Sequence, residues 1–160
     1  MILVAGVGNI FLGDDAFGSE VARRMQGHNT PHVRIVDFGI RGLDLAYALG
    51  DGYTAVIIVD ACARGDEPGT MYVIEPDLDE IDSVPPAVEA HAMDPLRVLA
   101  MARSMGTELR NVRIVGCEPE TLDSDDGRIG LSPRVAAAVE AAIIEIRSLV
   151  DTFLTKETPS

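Results

Sequence analysis

The chain has 160 residues, of which 47% are hydrophobic and 24% are charged, and its formal net charge is −13. This length and composition predict one domain with a packed core and exclude a disordered chain. No apolar run approaches the roughly 18 residues of a membrane-spanning helix, and the acidic balance disfavours a nucleic-acid surface or an anionic membrane as partner.

The N-terminal region carries no basic segment, because the first arginine is Arg23. A signal peptide is therefore not expected, and the expected compartment is the cytoplasm.

Five short runs rich in valine and isoleucine predict strands buried in a parallel sheet, at residues 2–7, 33–38, 55–60, 71–75 and 112–117. Helical patterns alternate with them, at 15 to about 26, 43–49, 94–105 and 132 to about 150. The pairs Asp94-Pro95 and Ser132-Pro133 are strong signals for a helix start. The long connection over residues 75–89 is acidic and contains prolines, which is typical of functional loops.

This alternation predicts an α/β fold, a three-layer sandwich with a mostly parallel, twisted five-stranded sheet between helices. We expect a single domain over residues 1–150, followed by a flexible tail over residues 151–160. In a sheet of order 2-1-3-4-5 the first and third strands are neighbours, and ligands bind at their carboxyl ends.

The turn after the first predicted strand is glycine-rich, which suggests a dinucleotide-binding loop. However, Phe11 stands where the third glycine of that motif is required. Asp14 and Asp15 follow, and they would repel a phosphate at short range. The same loop is better interpreted as part of a cation site, with one of the two aspartates capping the first helix.

Two further residues complete this candidate site. Asp60 closes the third strand, where a buried charge without a partner would be costly. His91 lies at the edge of the acidic connection and would add an imidazole to the carboxylates of Asp15 and Asp60. Such a set suits a borderline divalent ion such as nickel, zinc or iron, and the spacing does not choose among them. His28 and His32 are expected at the surface.

The two cysteines, Cys62 and Cys117, are too few for a disulfide scaffold and do not form a CxxC motif. We expect both to be structural. A nucleophilic pair of Cys62 with His91 is conceivable, although no motif around Cys62 supports it.

The segments GVGN at 6–9 and GDDAFG at 13–18 resemble the N-terminal signature of the hydrogenase maturation endopeptidases, which trim the large subunit of nickel–iron hydrogenases. The similarity covers nearly the whole chain, with weaker agreement at 68–70, 116–122 and 130–133. It implies that Asp15, Asp60 and His91 are the catalytic and metal-contacting residues. It also implies that a short C-terminal extension is removed from the large-subunit precursor after nickel insertion, with the nickel supplied by that precursor.

One segment departs from the family pattern. Many members carry a Gly-Thr pair after the second strand, where this chain has the segment DFGIRG at 37–42. The resemblance links this segment to substrate specificity, so the hydrogenase that is processed stays open. Two other functions also stay open at this point: a non-enzymatic nickel-binding or checkpoint protein that uses the same three residues, and a nucleotide-binding Rossmann-like domain.

Overall fold

The computed structural model describes residues 1–81, 94–120 and 130–157. Its strands are β1 (Ile2–Val7), β2 (Val33–Gly39), β3 (Ala55–Ala61), β4 (Met71–Ile74) and β5 (Val112–Cys117). Its helices are α1 (Phe17–Arg24), α2 (Gly42–Leu49), α3 (Pro95–Ser104) and α4 (Pro133–Glu157), with 3-10 turns at Gly13–Ala16 and Gln26–His28.

The strands form one sheet in the order β2-β1-β3-β5-β4, which confirms a mostly parallel five-stranded sheet. The expected order is wrong at one edge, because β5 lies between β3 and β4, and β4 runs antiparallel to β5. The link from β3 to β4, residues 62–70, is shorter than the roughly dozen residues that a parallel crossover needs. The later helix α3 supplies such a crossover and places β5 beside β3.

Successive side chains of the central strands point to opposite faces of the sheet, so the core has two parts, one on each face. On one face, Ile2, Val4 and Ile57 pack with buried side chains of α1 and α4. On the other face, Leu3 and Ile58 pack with buried side chains of α2 and α3. Because both faces are covered by helices, β1 is buried along its whole length, as its unbroken apolar run predicts.

The predicted helix starts are partly confirmed. Asp94 caps α3, since its carboxylate accepts a hydrogen bond from the backbone N–H of Leu96 (3.0 Å), and Pro95 is the first helical residue. The predicted end of α4 near residue 150 is wrong, because the helix continues to Glu157. Phe153 is only 3% exposed in the core, so packing holds this last part of the helix in place. In the part of the chain that the structure describes, no helix is both long and apolar enough to cross a bilayer.

The strand register brings several polar residues to one edge of the sheet. Gly6 of β1 pairs with Val59 of β3, and Asp60 pairs with Gly116 of β5. The carboxyl ends of these three parallel strands are therefore aligned. The segments that follow them, which carry Asp15 and Glu118, lie along the same edge as Asp60.

Candidate active site

The glycines of the first loop allow backbone segments to approach closely. A Cβ added to Gly8, whose φ is +149°, would lie 1.9 Å from the carbonyl oxygen of Asp15. A Cβ added to Gly18 would lie 2.0 Å from the carbonyl oxygen of Val59 and 2.3 Å from that of Val7. These glycines hold α1 and the Asp15 turn against β1 and β3. Packing thus accounts for the glycine pattern without a phosphate, which weakens the nucleotide-binding alternative.

Asp15 is half-buried and is oriented by the loop that precedes it. Its Oδ2 accepts a hydrogen bond from the backbone N–H of Asn9 (2.9 Å). The side-chain oxygen of Asn9 in turn accepts from the backbone N–H of Phe11 (2.9 Å), which closes a local turn. The loop therefore supplies a fixed donor to one oxygen of the Asp15 carboxylate.

The expectation that Asp14 or Asp15 caps the first helix is wrong. The chain passes through the 3-10 turn Gly13–Ala16 before α1 begins at Phe17, and neither helix start receives a side-chain cap. Asp14 is 1% exposed, and its carboxylate accepts hydrogen bonds from Ser132 and from Glu120 instead. The carboxylates of Asp14 and Asp15 therefore both accept hydrogen bonds from donors outside α1.

Asp60 is 7% exposed at the end of β3. Its Oδ1 accepts a hydrogen bond from the backbone N–H of Ala61 (2.8 Å). Burial, reinforced by the negative charge of Asp15, holds the pKa of the Asp60 carboxyl well above its usual range. The structure thus brings Asp15 and Asp60 together, and their proximity makes this edge favourable for a cation.

A cavity of about 720 Å³ opens beside Asp60. Its described wall carries five carboxylates and one guanidinium: Asp60, Glu75, Asp77, Glu80, Asp94 and Arg64. Apolar side chains such as Ile81 and Leu96 complete it. The wall is therefore mainly acidic and would favour positively charged groups.

His91 lies outside the described residues, within the gap between Ile81 and Asp94. Both residues that border this gap line the cavity next to Asp60. Within the described ranges, no three His, Cys, Asp or Glu side chains form a group that could hold a metal ion. His28 and His32 are exposed, as predicted.

Glu118 is a third buried carboxylate at this edge, beside Asp14 and Asp60, and the sequence pattern did not single it out. It is 5% exposed, and its Oε1 accepts hydrogen bonds from the Tyr72 hydroxyl (2.7 Å) and from the backbone N–H groups of Arg64 (2.8 Å) and Asp66 (3.1 Å). The bond from Tyr72 and those from the backbone lower the pKa of Glu118. Glu118 thereby holds the loop that follows Asp60. The signal was available, since Glu118 directly follows a buried strand, as Asp60 ends one.

Both cysteines are free thiols, as expected. Cys117 lies in the core, and a Cβ added to Gly116 would lie 2.5 Å from the Cys62 Sγ. Burial, together with the charge of Asp60, raises the pKa of Cys62 to about 12. The thiol is therefore protonated near neutral pH, which disfavours Cys62 as a nucleophile.

Known proteins resemble this chain in sequence and in fold. A family model described as hydrogenase maturation protease matches residues 18–149. The hydrogenase 2 maturation protease of Escherichia coli is 34% identical over 155 residues, which cover 91% of this chain and 87% of that protein. The hydrogenase expression/formation protein HupD of Rhodobacter capsulatus is 33% identical over 151 residues, covering 90% and 68%.

Solved structures show the same architecture. The hydrogenase maturating endopeptidase HybD from E. coli superposes with a TM-score of 0.75 at 27% identity, covering 94% of this chain and 92% of that one. The hydrogenase 2 maturation peptidase of a Thaumarchaeota archaeon gives a TM-score of 0.71 at 29% identity, covering 94% and 97%. Sequence and fold agree over most of the chain, and the protein therefore belongs to the hydrogenase maturation protease family.

Proposed function

We propose that this protein is an endopeptidase that removes the C-terminal extension from a nickel-loaded nickel–iron hydrogenase large-subunit precursor. Asp15, Asp60 and His91 are its proposed metal-contacting and catalytic residues. The observation that carries this assignment is the proximity of Asp15 to buried Asp60, whose pKa is raised by burial and by the neighbouring charge. A divalent cation held by the substrate would relieve this repulsion, so docking of a loaded precursor would be favoured.

The donor set fits such an ion. Asp15 uses Oδ2 to accept from Asn9, and Asp60 uses Oδ1 to accept from Ala61. Among the described residues, the other oxygen of each carboxylate accepts no hydrogen bond and is available to a cation. Carboxylate oxygens and one imidazole are suitable ligands for nickel. The role of His91 rests on the family resemblance, and the lining of the cavity by Ile81 and Asp94 supports it.

The residues of this chain would position the catalytic carboxylates relative to the scissile peptide bond. The backbone donors to Asp15 and Asp60 orient the two carboxylates, and the scissile carbonyl of a docked precursor would lie beside them. When bound, the substrate's ion would polarise that carbonyl or acidify a water molecule. A carboxylate that is not engaged with the ion would accept the proton of the attacking water. As the water oxygen bonds to the carbonyl carbon and the C–N bond breaks, the protonated carboxyl group would return that proton to the nitrogen of the leaving amine.

A surface for the precursor lies beside Asp15. We define the apolar rim as the exposed apolar residues of the loops after β1 and β2 and of the first turn of α2: Ile10, Phe11, Leu12, Ile40 and Leu43. The two loops are joined by the hydrogen bond from the Gly8 N–H to the Gly39 carbonyl (2.9 Å). Neighbouring exposed apolar residues mark protein contact sites. A protein substrate that reaches Asp15 would cross this rim, and the rim includes the segment that departs from the family pattern.

The decisive experiment measures the intact mass of the cognate large-subunit precursor, with and without nickel, after incubation with this protein. Loss of a C-terminal peptide only from the nickel-loaded precursor is the expected result. An unchanged mass of a demonstrably loaded precursor would contradict the proposal and favour a binding or checkpoint role.

The proposed compartment is the cytoplasm, where free thiols such as Cys62 and Cys117 persist.

A further inference from the structure

Asp14 is a buried carboxylate near the site, and both of its oxygens accept hydrogen bonds from described residues. Its Oδ1 accepts from the backbone N–H of Ser132 (2.7 Å), and its Oδ2 accepts from the Ser132 hydroxyl and from the backbone N–H of Glu120 (2.8 Å each). The side chain is 1% exposed. Hydrogen bonds to a buried carboxylate are strong and strictly directional, so these three define the position of Asp14.

These bonds connect segments that are remote in the sequence. Ser132 directly precedes Pro133, the first residue of α4, and Glu120 follows β5. The donors lie 118 and 106 residues away from Asp14 along the chain. Asp14 therefore ties the 3-10 turn Gly13–Ala16 to the start of α4 and to the segment after β5.

This tie bears directly on Asp15. The two aspartates are adjacent in the 3-10 turn, which spans a single turn and has little rigidity of its own. The residues just before it, Ile10 to Leu12, are exposed. The carboxylates reach different partners. Asp14 accepts from the residue before α4 and from the segment after β5, whereas Asp15 accepts from Asn9 and lies near Asp60.

Building on the proposed function, we propose that Asp14 is a positioning residue of the proteolytic site. Its three hydrogen bonds fix the turn that presents Asp15 to Asp60, and Asp14 itself does not contact the substrate. Its removal would therefore impair the chemical step more than the binding of the precursor.

The test substitutes Asp14→Asn and follows the trimming of a nickel-loaded precursor. Asparagine keeps the size of the side chain, but its amide nitrogen cannot accept a hydrogen bond, so at least one of the three bonds is lost. We expect kcat to fall roughly 10- to 100-fold, as for a misplaced catalytic group, and KM to change less than about twofold. Ser132→Ala, which removes only the hydroxyl donor, should give a smaller loss of kcat.

The matched control is Val139→Ala. Val139 is buried in the core on α4 and has no contact with the Asp14 carboxylate among the bonds described, so this variant lowers Tm without removing them. Both variants are assayed well below their Tm. Equal loss of kcat in the two variants, or a wild-type kcat in Asp14→Asn, would overturn the proposal.

A second readout does not depend on proteolysis. The backbone N–H of Asn9 donates to Asp15 Oδ2, so its hydrogen exchange reports how firmly Asp15 is held. We expect this exchange to accelerate roughly tenfold more in Asp14→Asn than in Val139→Ala; equal acceleration would show a purely structural role. A wild-type protein that trims no loaded precursor would instead refute the proposed function, which separates the two failures.

Discussion

Gly18 of α1 faces the carbonyl oxygen of Val59 in β3 so closely that an added Cβ would lie 2.0 Å from that oxygen. This approach seats α1 on the sheet one strand residue before Asp60. The same glycine would place a Cβ 2.3 Å from the carbonyl oxygen of Val7 in β1. Because both obstacles are backbone atoms within paired strands, neither can move without disturbing the sheet.

Gly18→Ala should therefore destabilise the protein by about 3 kcal/mol or more, at the upper end of overpacking effects. Urea unfolding measures this loss. The matched control is Gly27→Ala, where an added Cβ meets no atom within 4 Å, and it should cause no loss of stability. Equal stability of the two variants would contradict the close packing of α1 against β1 and β3.

Asp60→Asn should abolish trimming, with kcat/KM reduced by roughly a thousandfold or more, while the fold persists. The amide oxygen can keep the hydrogen bond from the Ala61 N–H, and the substitution removes a buried charge that desolvation and Asp15 disfavour. Stability at neutral pH should therefore equal or exceed that of the wild type. Precursor mass analysis and thermal unfolding provide the two measurements.

The control for this change is Asp51→Asn. Asp51 is exposed in the segment before β3, at the opposite edge of the sheet from Asp60. The Asp51→Asn substitution should leave both the trimming rate and the free energy of unfolding unchanged. Wild-type trimming by the Asp60→Asn variant would exclude a catalytic or metal-contacting role for this carboxylate.

The free energy of unfolding should fall in acid, because Glu118 loses its stabilising charge there. Its folded-state pKa lies below the usual value of 4.5, chiefly because the Tyr72 hydroxyl donates to the carboxylate. A lowered folded pKa contributes stability that is present above the unfolded pKa and is lost as the pH falls through the folded pKa. Urea unfolding from pH 7 to pH 3 should show this loss starting near pH 4.5 in the wild type.

Glu118→Gln removes the titrating group, so its stability should be lower than that of the wild type at pH 7 and should fall less on acidification. Glu108→Gln is the control, because Glu108 is exposed and, among the described residues, its ion pair is with the exposed Arg110. Parallel pH profiles for wild type and Glu118→Gln would contradict the role of this carboxylate in holding the loop after Asp60.

Phe11→Ser should weaken precursor docking without affecting the catalytic step. Phe11 is 67% exposed in the apolar rim, so its replacement should change the free energy of unfolding by no more than about 0.5 kcal/mol. We expect KM for the precursor to rise about tenfold, equivalent to roughly 1.4 kcal/mol of binding, with kcat unchanged. Ile144→Ser, at a 69% exposed position on α4, should leave KM unaltered. A wild-type KM in Phe11→Ser would exclude this part of the rim from the interface.

Local patterns were sufficient for most of the secondary structure. The strand over residues 112–117 matches β5 at both ends, and Asp94-Pro95 marks the start of α3. These local patterns did not predict features that depend on contacts between residues remote in the sequence. The end of α4 depends on the burial of Phe153, and the place of β4 depends on the short link that precedes it. Neither property can be derived from periodicity within one segment.

For the candidate site, too, local patterns indicated some residues and only the structure revealed the others. The residue types alone identified Asp15 and Asp60, because a charge at the end of a buried strand and paired acids after a glycine turn are unusual in their own segments. The roles of Asp14 and Glu118 became visible only in the folded chain, since their donors lie 118 and 54 residues away. The sequence by itself determined the fold class and the family, and it selected Asp15 and Asp60 as candidate site residues. Tertiary structure decided that Asp14 and Glu118 are held by hydrogen bonds, because only the strand register and helix packing bring their remote donors to them.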